Sequence, residues 1–367
     1  MKVALVHDFL FKLGGAERVL KELANLYPQA PIYTLIYDEE KCGQMFPRKR
    51  VVESKLKKYP RFLQKRPQLL LGKMPEAIED FDFSEFDLVI SSSGAFSHGI
   101  ITPPRTKHLC YCHSPMRYAW DYTHEYLAEK KLSWWKELLA RLTLHQVRQW
   151  DRVAADRPDA YLANSKHVAK RLRKYFQTEA EVLYPPVDID RFYPHGESGE
   201  YFLMISALSP FKKVDLAVSA FNKMGKPLLV IGDGEQRQAL EALVGPTVEI
   251  LGRKTDEEVR RYLQNCRALV FPGEEDFGIA PVEAMACGKP VIAYGKGGVL
   301  ESVVDGITGV FFEELTVAAL EDAVARFYQI ERSLDRDIIR KRAEEFGREQ
   351  FVEGVKQAVK KLYKQKS

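Results

Sequence analysis

The stretch FPGEEDFGIAPVEAMACGKPVIAYGKGG, Phe271 to Gly298, decides how the rest of this chain is read. It follows on from an apolar run, Ala268 to Phe271, that suits a strand, and passes through three consecutive carboxylates, Glu274, Glu275 and Asp276. The chain then turns at Phe277-Gly278 and is expected to enter a helix near Pro281. Proline suits a first helical position, because its missing N–H has no intrahelical partner there and its φ is already helical. The helix should stop at Cys287-Gly288, and a second strand, Pro290 to Tyr294, runs into Gly297-Gly298. Strand, polar loop, helix, strand, polar loop is the alternation of a parallel sheet. Both loops leave the same edge, where open α/β folds bind ligands.

What that edge presents is chemical. Glu275 sits in the loop and Glu283 in the first helical turn, so both carboxylates can face one crevice. The helix start between them offers free backbone N–H groups and a positive dipole end, a place for an anionic oxygen. Hydroxyl-binding carboxylates on either side of a phosphate-binding helix end suit a nucleotide-sugar. A supporting role for Glu283 is the alternative: with Pro281 first in the helix, Glu283 is third, where capping-box glutamates sit. Ala280 before it has no side-chain oxygen to complete such a box.

Glu275 and Glu283, embedded in EDFGIAPVEAMACGKPVIA with a following GG-x-x-E, resemble the pattern of the retaining glycosyltransferases of family 4. GDP-mannose-dependent mannosyltransferases are prominent among these. The resemblance implies an α/β protein of GT-B architecture: two Rossmann-like domains with parallel sheets facing a central cleft, and a C-terminal helix crossing back to the N-terminal domain. Residues 1–190, with 346–367 packing back, would form the acceptor domain, and residues 196–345 the nucleotide-sugar domain.

It also implies roles. Glu275 would hold sugar hydroxyls beside Asp276, and Glu283 the ribose. Backbone N–H groups from Phe277 through Gly278 to Ile279 would add donors, and Arg253 with Lys254 would lie beside the base. His113 would contact the donor sugar, with Gly14 and Gly15 closing over the diphosphate and Arg117 and Tyr118 on the acceptor side. The family's loop after Ser206 carries an arginine where Ala207 stands here, so Lys212 and the adjacent Lys213 are left to grip the diphosphate. No metal and no cofactor beyond the substrate nucleotide-sugar is expected. Glu274, Glu275 and Asp276 as a cation site is the alternative, but this run is not a D-x-D motif. The rival readings are a UDP-sugar enzyme of the same fold, transferring glucosyl or N-acetylglucosaminyl groups or epimerising them, and a non-catalytic sugar- or membrane-binding module.

The remainder of the chain supports a two-domain reading. At 367 residues it is too long for one typical core. Lys2 to Phe9 suits a first parallel strand, followed by Gly14-Gly15 and a helical pattern from Ala16; GGAER is not a dinucleotide fingerprint. Further strands are expected at Pro31–Ile36, Asp87–Ser91, Lys107–Cys112 and Asp159–Ala163, and Asn164-Ser165 caps a basic helix. Pro185-Pro186 and Tyr193 to Gly199 mark the linker, after which six more strand-like segments alternate with helices.

Charge is unevenly divided. Residues 1–185 carry 30 Lys+Arg against 22 Asp+Glu, while the rest carries 25 against 29. Ten of the cations lie between Arg48 and Lys73, accompanied by a single acid, Glu53. Interleaved with leucines and aromatics, they read as a solvated face or as a surface for anionic lipid, and Lys130 to Leu142, KKLSWWKELLARL, is a second candidate anchor or a buried helix. No nucleic-acid signature accompanies them. No apolar run is long enough to span a bilayer, no signal peptide is evident, and the five cysteines form no C-x-x-C. The expectation is a cytoplasmic protein, peripheral at the inner membrane face, with a lipid-linked glycan as acceptor.

Overall fold

Alternating apolar strands and amphipathic helices close into two parallel sheets in the computed structural model of the chain, which describes residues 1–64, 66–130, 132–196 and 199–364, with Glu129 as backbone only. The expectations that touch Lys65, Lys131, Glu197, Ser198 and residues 365–367 lie outside the described residues. The chain divides into two compact units, Met1–Tyr184 together with the chain from Phe351 onward, and Pro185–Gln350.

The first unit carries seven strands: β1 (Val3–Leu10), β2 (Ile32–Tyr37), β3 (Val51–Glu53), β4 (Leu88–Ser93), β5 (Lys107–Cys112), β6 (Ala160–Ala163) and β7 (Glu181–Val182). They pair in parallel in the order β3-β2-β1-β4-β5-β6-β7. Alternation along β1 sends Leu5 into a core on one face and Ala4 and Val6 into a core on the other, so both faces are covered. Helix α1 (Gly15–Leu26) buries Val19, Leu20, Leu23 and Ala24. Helix α2 (Trp134–Ala154) buries nothing before Leu144. Helix α3 (Lys166–Tyr175) starts where expected, with the Ser165 side chain accepting from Val168 N–H at 3.0 Å.

The second unit repeats the scheme with β8 (Phe202–Ile205), β9 (Leu228–Ile231), β10 (Val248–Gly252), β11 (Leu269–Phe271), β12 (Val291–Tyr294) and β13 (Gly309–Phe312), in the order β10-β9-β8-β11-β12-β13. Helix α4 (Val214–Met224) packs Val214, Ala217, Val218 and Phe221 on this sheet. Helix α5 (Ile279–Ala286) corrects the expected start at Pro281: it begins two residues earlier. Gly278, at φ +87°, makes the entry, and a Cβ there would lie 2.9 Å from Phe271 Cζ. Pro281 is therefore third in the helix, where an N–H also lacks an intrahelical acceptor, so proline costs as little there as at the first position. Glu283 becomes fifth, in the second turn, and no longer occupies a capping-box position.

The last helix, α6 (Arg348–Lys364), returns the chain to the first unit and buries Phe351, Val355, Ala358, Val359 and Leu362 in the same core as Leu5 and Tyr111. The five cysteines are free thiols and buried, and burial pushes Cys110, Cys266 and Cys287 up to about 12, which keeps them from acting as nucleophiles.

His108 on β5 is fully enclosed, with Nε2 2.8 Å from Ser91 Oγ and Nδ1 without a partner among the described residues. Burial lowers its pKa to about 3. A pKa depressed on folding favours the neutral ring, so this contribution to stability is present above the unfolded value of about 6.5 and is lost as pH falls from there towards 3. Unfolding free energy should drop by about 2 kcal/mol between pH 7.5 and pH 5 through this residue. Urea titrations of His108→Gln should lack that part of the slope.

Candidate active site

In the second unit the chain starts at β8, moves outward through β9 and β10, then returns to β11 on the other side of β8. The loops after β8 and β11 leave in opposite directions, and the crevice between strand ends at such a reversal is where α/β sheets bind ligands. These two loops touch. A Cβ on Gly273 would lie 3.1 Å from Lys212 Cα and from the Phe211 carbonyl oxygen. Lys212 Nζ reaches Glu275 Oε1 at 2.5 Å and also sits 4.9 Å above the Phe211 ring. The side chains are 15% and 23% exposed, shielded enough for the pair to be felt yet open to an arriving group.

Glu275 is fixed from its other side by the loop after β12. Gly298 N–H donates to the Glu275 carbonyl at 2.8 Å, and Glu275 bridges to Gly297. Gly297 has φ +80°, and a Cβ there would meet the Glu275 carbonyl oxygen at 2.4 Å. The glycine pair thus allows one backbone to lie against another, and thereby aims the carboxylate. Directly beyond, α5 starts from Gly278, which has no side chain to cap the first turn, and the positive dipole end there suits an anion. Its far end is held by Arg340, whose Nη1 donates to the Ala286 carbonyl at 2.7 Å. Glu283, in the second turn, is buried.

The other residues singled out in this unit lie on the same strand edge. Lys213 adopts the left-handed conformation, φ 55° and ψ 39°, as it passes from a short 3₁₀ turn, Pro210–Lys212, into α4. A non-glycine residue held there carries about 1–2 kcal/mol of strain, a cost that tends to gather at functional loops. Arg253 and Lys254 follow β10 at the sheet's edge. Arg253 Nε is 3.9 Å from Asp233 Oδ2, in the loop after β9, and Lys254 Nζ is 3.8 Å from Glu258. Ala207, where a cation is missing, is exposed.

In the first unit the corresponding reversal lies between β1 and β4, and the residues there join through a polar chain that sequence reasoning missed. His113 Nε2 is 2.8 Å from Ser92 Oγ. His7 Nδ1 lies 3.0 Å from the Ser92 carbonyl and 3.1 Å from Ser92 Oγ, so it carries the proton and donates. His7 Nε2 faces Glu17 Oε1 at 3.6 Å, and Glu17 Oε2 accepts from Gly14 N–H at 2.7 Å. Burial pushes the Glu17 carboxyl up, but the His7 bond and charge, with its own backbone N–H, outweigh this and hold it below the usual range. His113 and Gly14, chosen separately from sequence, are therefore linked through Ser92, His7 and Glu17. The Gly14 N–H is already engaged.

Asp8 anchors this edge. Its two oxygens accept four successive backbone N–H groups, from Gly94, Ala95, Phe96 and Ser97, at 2.6–2.9 Å. The signals were an acid near the end of β1 and the SSSG run, Ser91–Gly94, that closes β4, but nothing local joins two segments 86 residues apart. Arg117 lies 5.8 Å over the Tyr122 ring, and the Tyr118 hydroxyl turns inward to the Met116 sulfur at 3.2 Å. Among the described residues, no group of three or more His, Cys, Asp or Glu is disposed to hold a metal ion.

Comparison with known proteins agrees with this arrangement. Residues 13–191 match the model for Glycosyltransferase Family 4, and residues 188–350 that for Glycosyl transferases group 1. An uncharacterized glycosyltransferase of Methanocaldococcus jannaschii is 30% identical over 60% of this chain; the chain spans only 63% of that relative. The alpha-1,3/1,6-mannosyltransferase ALG2 of Dictyostelium discoideum is 25% identical over 84% of this chain and 85% of its own length. Among solved structures, Anabaena HepE in complex with UDP-glucose superposes with a TM-score of 0.72 at 18% identity, covering 98% of this chain and 100% of that one. Two parallel Rossmann-like sheets of the GT-B kind and a family match running across both units lead to one conclusion: the chain belongs to the family 4 glycosyltransferases.

Proposed function

We propose that this chain is a retaining, metal-independent hexosyltransferase that moves mannose from GDP-mannose onto a lipid-linked glycan in the synthesis of cell-surface polysaccharide. The observation that carries the reading is the Lys212–Glu275 pair at the strand reversal, beside the uncapped start of α5. A diphosphate needs cations and N–H donors, and a sugar needs carboxylate acceptors; this crevice offers both within one side chain's reach. The mannose assignment draws on the ALG2 relatives, whose printed activity is mannosyl transfer.

In this reading the donor's diphosphate takes Lys212 from Glu275 and settles against the first N–H groups of α5, with Lys213 beside it. Glu275, released, accepts from sugar hydroxyls, while Glu283 holds the ribose, and Arg253 with Lys254 flanks the base. Charge-assisted bonds of about 1.5–3 kcal/mol each stabilise the leaving group without a metal. The departing phosphate oxygen serves as base for the acceptor hydroxyl, which accounts for retention without a protein nucleophile. His113, held through Ser92, contacts the sugar. No cofactor takes part.

A second reading, a UDP-sugar donor, is favoured by the structural likeness to HepE with UDP-glucose. A thermal-shift panel of GDP-, UDP- and ADP-sugars separates the two. The true donor at 100 times its Kd adds about 2.7 kcal/mol of stability, and a UDP-sugar outranking GDP-mannose would overturn the donor assignment.

Mutation of the pair splits binding from chemistry. Lys212→Ala should weaken GDP binding by roughly 10- to 100-fold in calorimetry. Glu275→Gln, which frees Lys212, should leave GDP affinity within about threefold yet lower kcat at least about 100-fold. Parallel losses of GDP affinity in both variants would sink the division of roles. Treatment with EDTA should leave transfer intact; an abolished activity restored by a divalent cation contradicts the metal-independent mechanism.

A further inference from the structure

The first ten residues of α2 bury nothing, yet they carry five large apolar side chains. Trp134 is 80% exposed, Trp135 48%, Leu138 52%, Leu139 55% and Leu142 53%. At 100° per residue they occupy one arc of about 140°, a continuous apolar face over a little more than two turns. A single exposed leucine is ordinary, but a stripe of five with two tryptophans marks a surface that meets something apolar. The polar side of the same segment carries Lys136, Arg141 and one acid, Glu137, which Arg141 already pairs at 2.7 Å.

A second segment adjoins it. The 3₁₀ turn Pro67–Lys73 packs against α2, where a Cβ on Gly72 would meet Thr143 Cγ2 at 3.8 Å. That turn exposes Leu69 at 59%, and the chain leading into it exposes Phe62 at 64% together with Lys57, Lys58, Arg61 and Arg66. These four cations make no ion pair among the described residues, whereas Lys55 is matched to Asp80.

We propose that the exposed face of α2, with the adjoining residues 57–64 and 66–69, docks on an anionic lipid surface. Tryptophan and leucine on one side with unpaired lysine and arginine around them is the composition of a helix that lies in the headgroup region. Unmatched positive charge selects an anionic bilayer over a neutral one. A protein partner or a second copy of this chain would cover apolar area equally well, but neither calls for four unpaired cations at its margin. The proposal deepens the reading of a lipid-linked acceptor and rests on it: the surface would hold the chain where such an acceptor is embedded.

The test is flotation of the full chain with vesicles of phosphatidylcholine alone and of phosphatidylcholine mixed equally with phosphatidylglycerol. Binding is expected on the anionic vesicles only, with brominated lipid quenching tryptophan emission. Trp134→Ala with Trp135→Ala should lower partitioning about tenfold or more. Lys57→Ala, Lys58→Ala and Arg61→Ala should each lower it about fivefold, an effect that disappears at high salt. Equal binding to both vesicle types, or binding unchanged in the tryptophan variant, overturns the proposal. So does a concentration-dependent dimer without lipid that this variant abolishes, which would assign the face to a second copy. The variants should retain the wild-type thermal shift with GDP, showing that the fold is intact. Vesicle binding without any glycosyl transfer would fault the functional reading alone, and transfer to a soluble acceptor by a chain that ignores vesicles would fault docking alone.

Discussion

Backbone lies on backbone at Gly297 and Gly298, and the chemistry of the second unit depends on that contact. The loop after β12 approaches the loop after β11 so closely that the Gly298 N–H bonds the Glu275 carbonyl and no Cβ fits at Gly297. Glu275 therefore leaves its loop in one direction, towards Lys212 from the opposite side of the strand reversal. A carboxylate in a free loop would sample many orientations; here the main chain has settled the choice before any ligand arrives. Gly278 acts in the same sense by starting α5 next to that carboxylate.

The pairing of Lys212 with Glu275 also defines what binding must accomplish. Each group is the other's counterion, so neither stands as an isolated charge in a half-shielded crevice. A ligand with an anion at one end and hydroxyls at the other can replace both partners at once. One that offers only an anion leaves a carboxylate unmatched, and one that offers only hydroxyls leaves an ammonium bound to its old partner. In the proposed donor site, selectivity for a molecule carrying both features would follow from this pair of side chains, independently of how the base is read.

Much of this was legible in the sequence, and the exceptions have a common cause. The strands, the helices and the carboxylate loop follow from local pattern: apolar runs of strand length, turns at glycine and proline, and a serine cap before α3. The helix at Ile279 was misplaced by two residues because proline is tolerated throughout the first turn, so it marks the turn and not the position. Glu17, His7 and Ser92 were missed as members of the site because each is ordinary in its own segment. Only the β1–β4 pairing brings Ser92 opposite His7, and no local signal carries the partner of a parallel strand 85 residues away. The basic segment illustrates the converse. Its composition was plain, but whether α2 buried its tryptophans or showed them could not be read from periodicity, since both outcomes use the same stripe.

Helix α6 has a consequence for how the protein is made. The first 184 residues leave the ribosome with the core around Leu5, Leu109 and Tyr111 still lacking Phe351, Val355, Ala358, Val359 and Leu362. Phe351 packs edge-on against the Tyr111 ring, with centroids 5.5 Å apart. The second unit, Pro185–Gln350, is continuous and can complete its sheet as soon as it emerges. In the order of synthesis, then, the unit begun first is finished last. Its sheet waits with one apolar face only partly covered, by α1, for the whole time the other unit takes to appear, an interval in which exposed apolar surface invites misassociation.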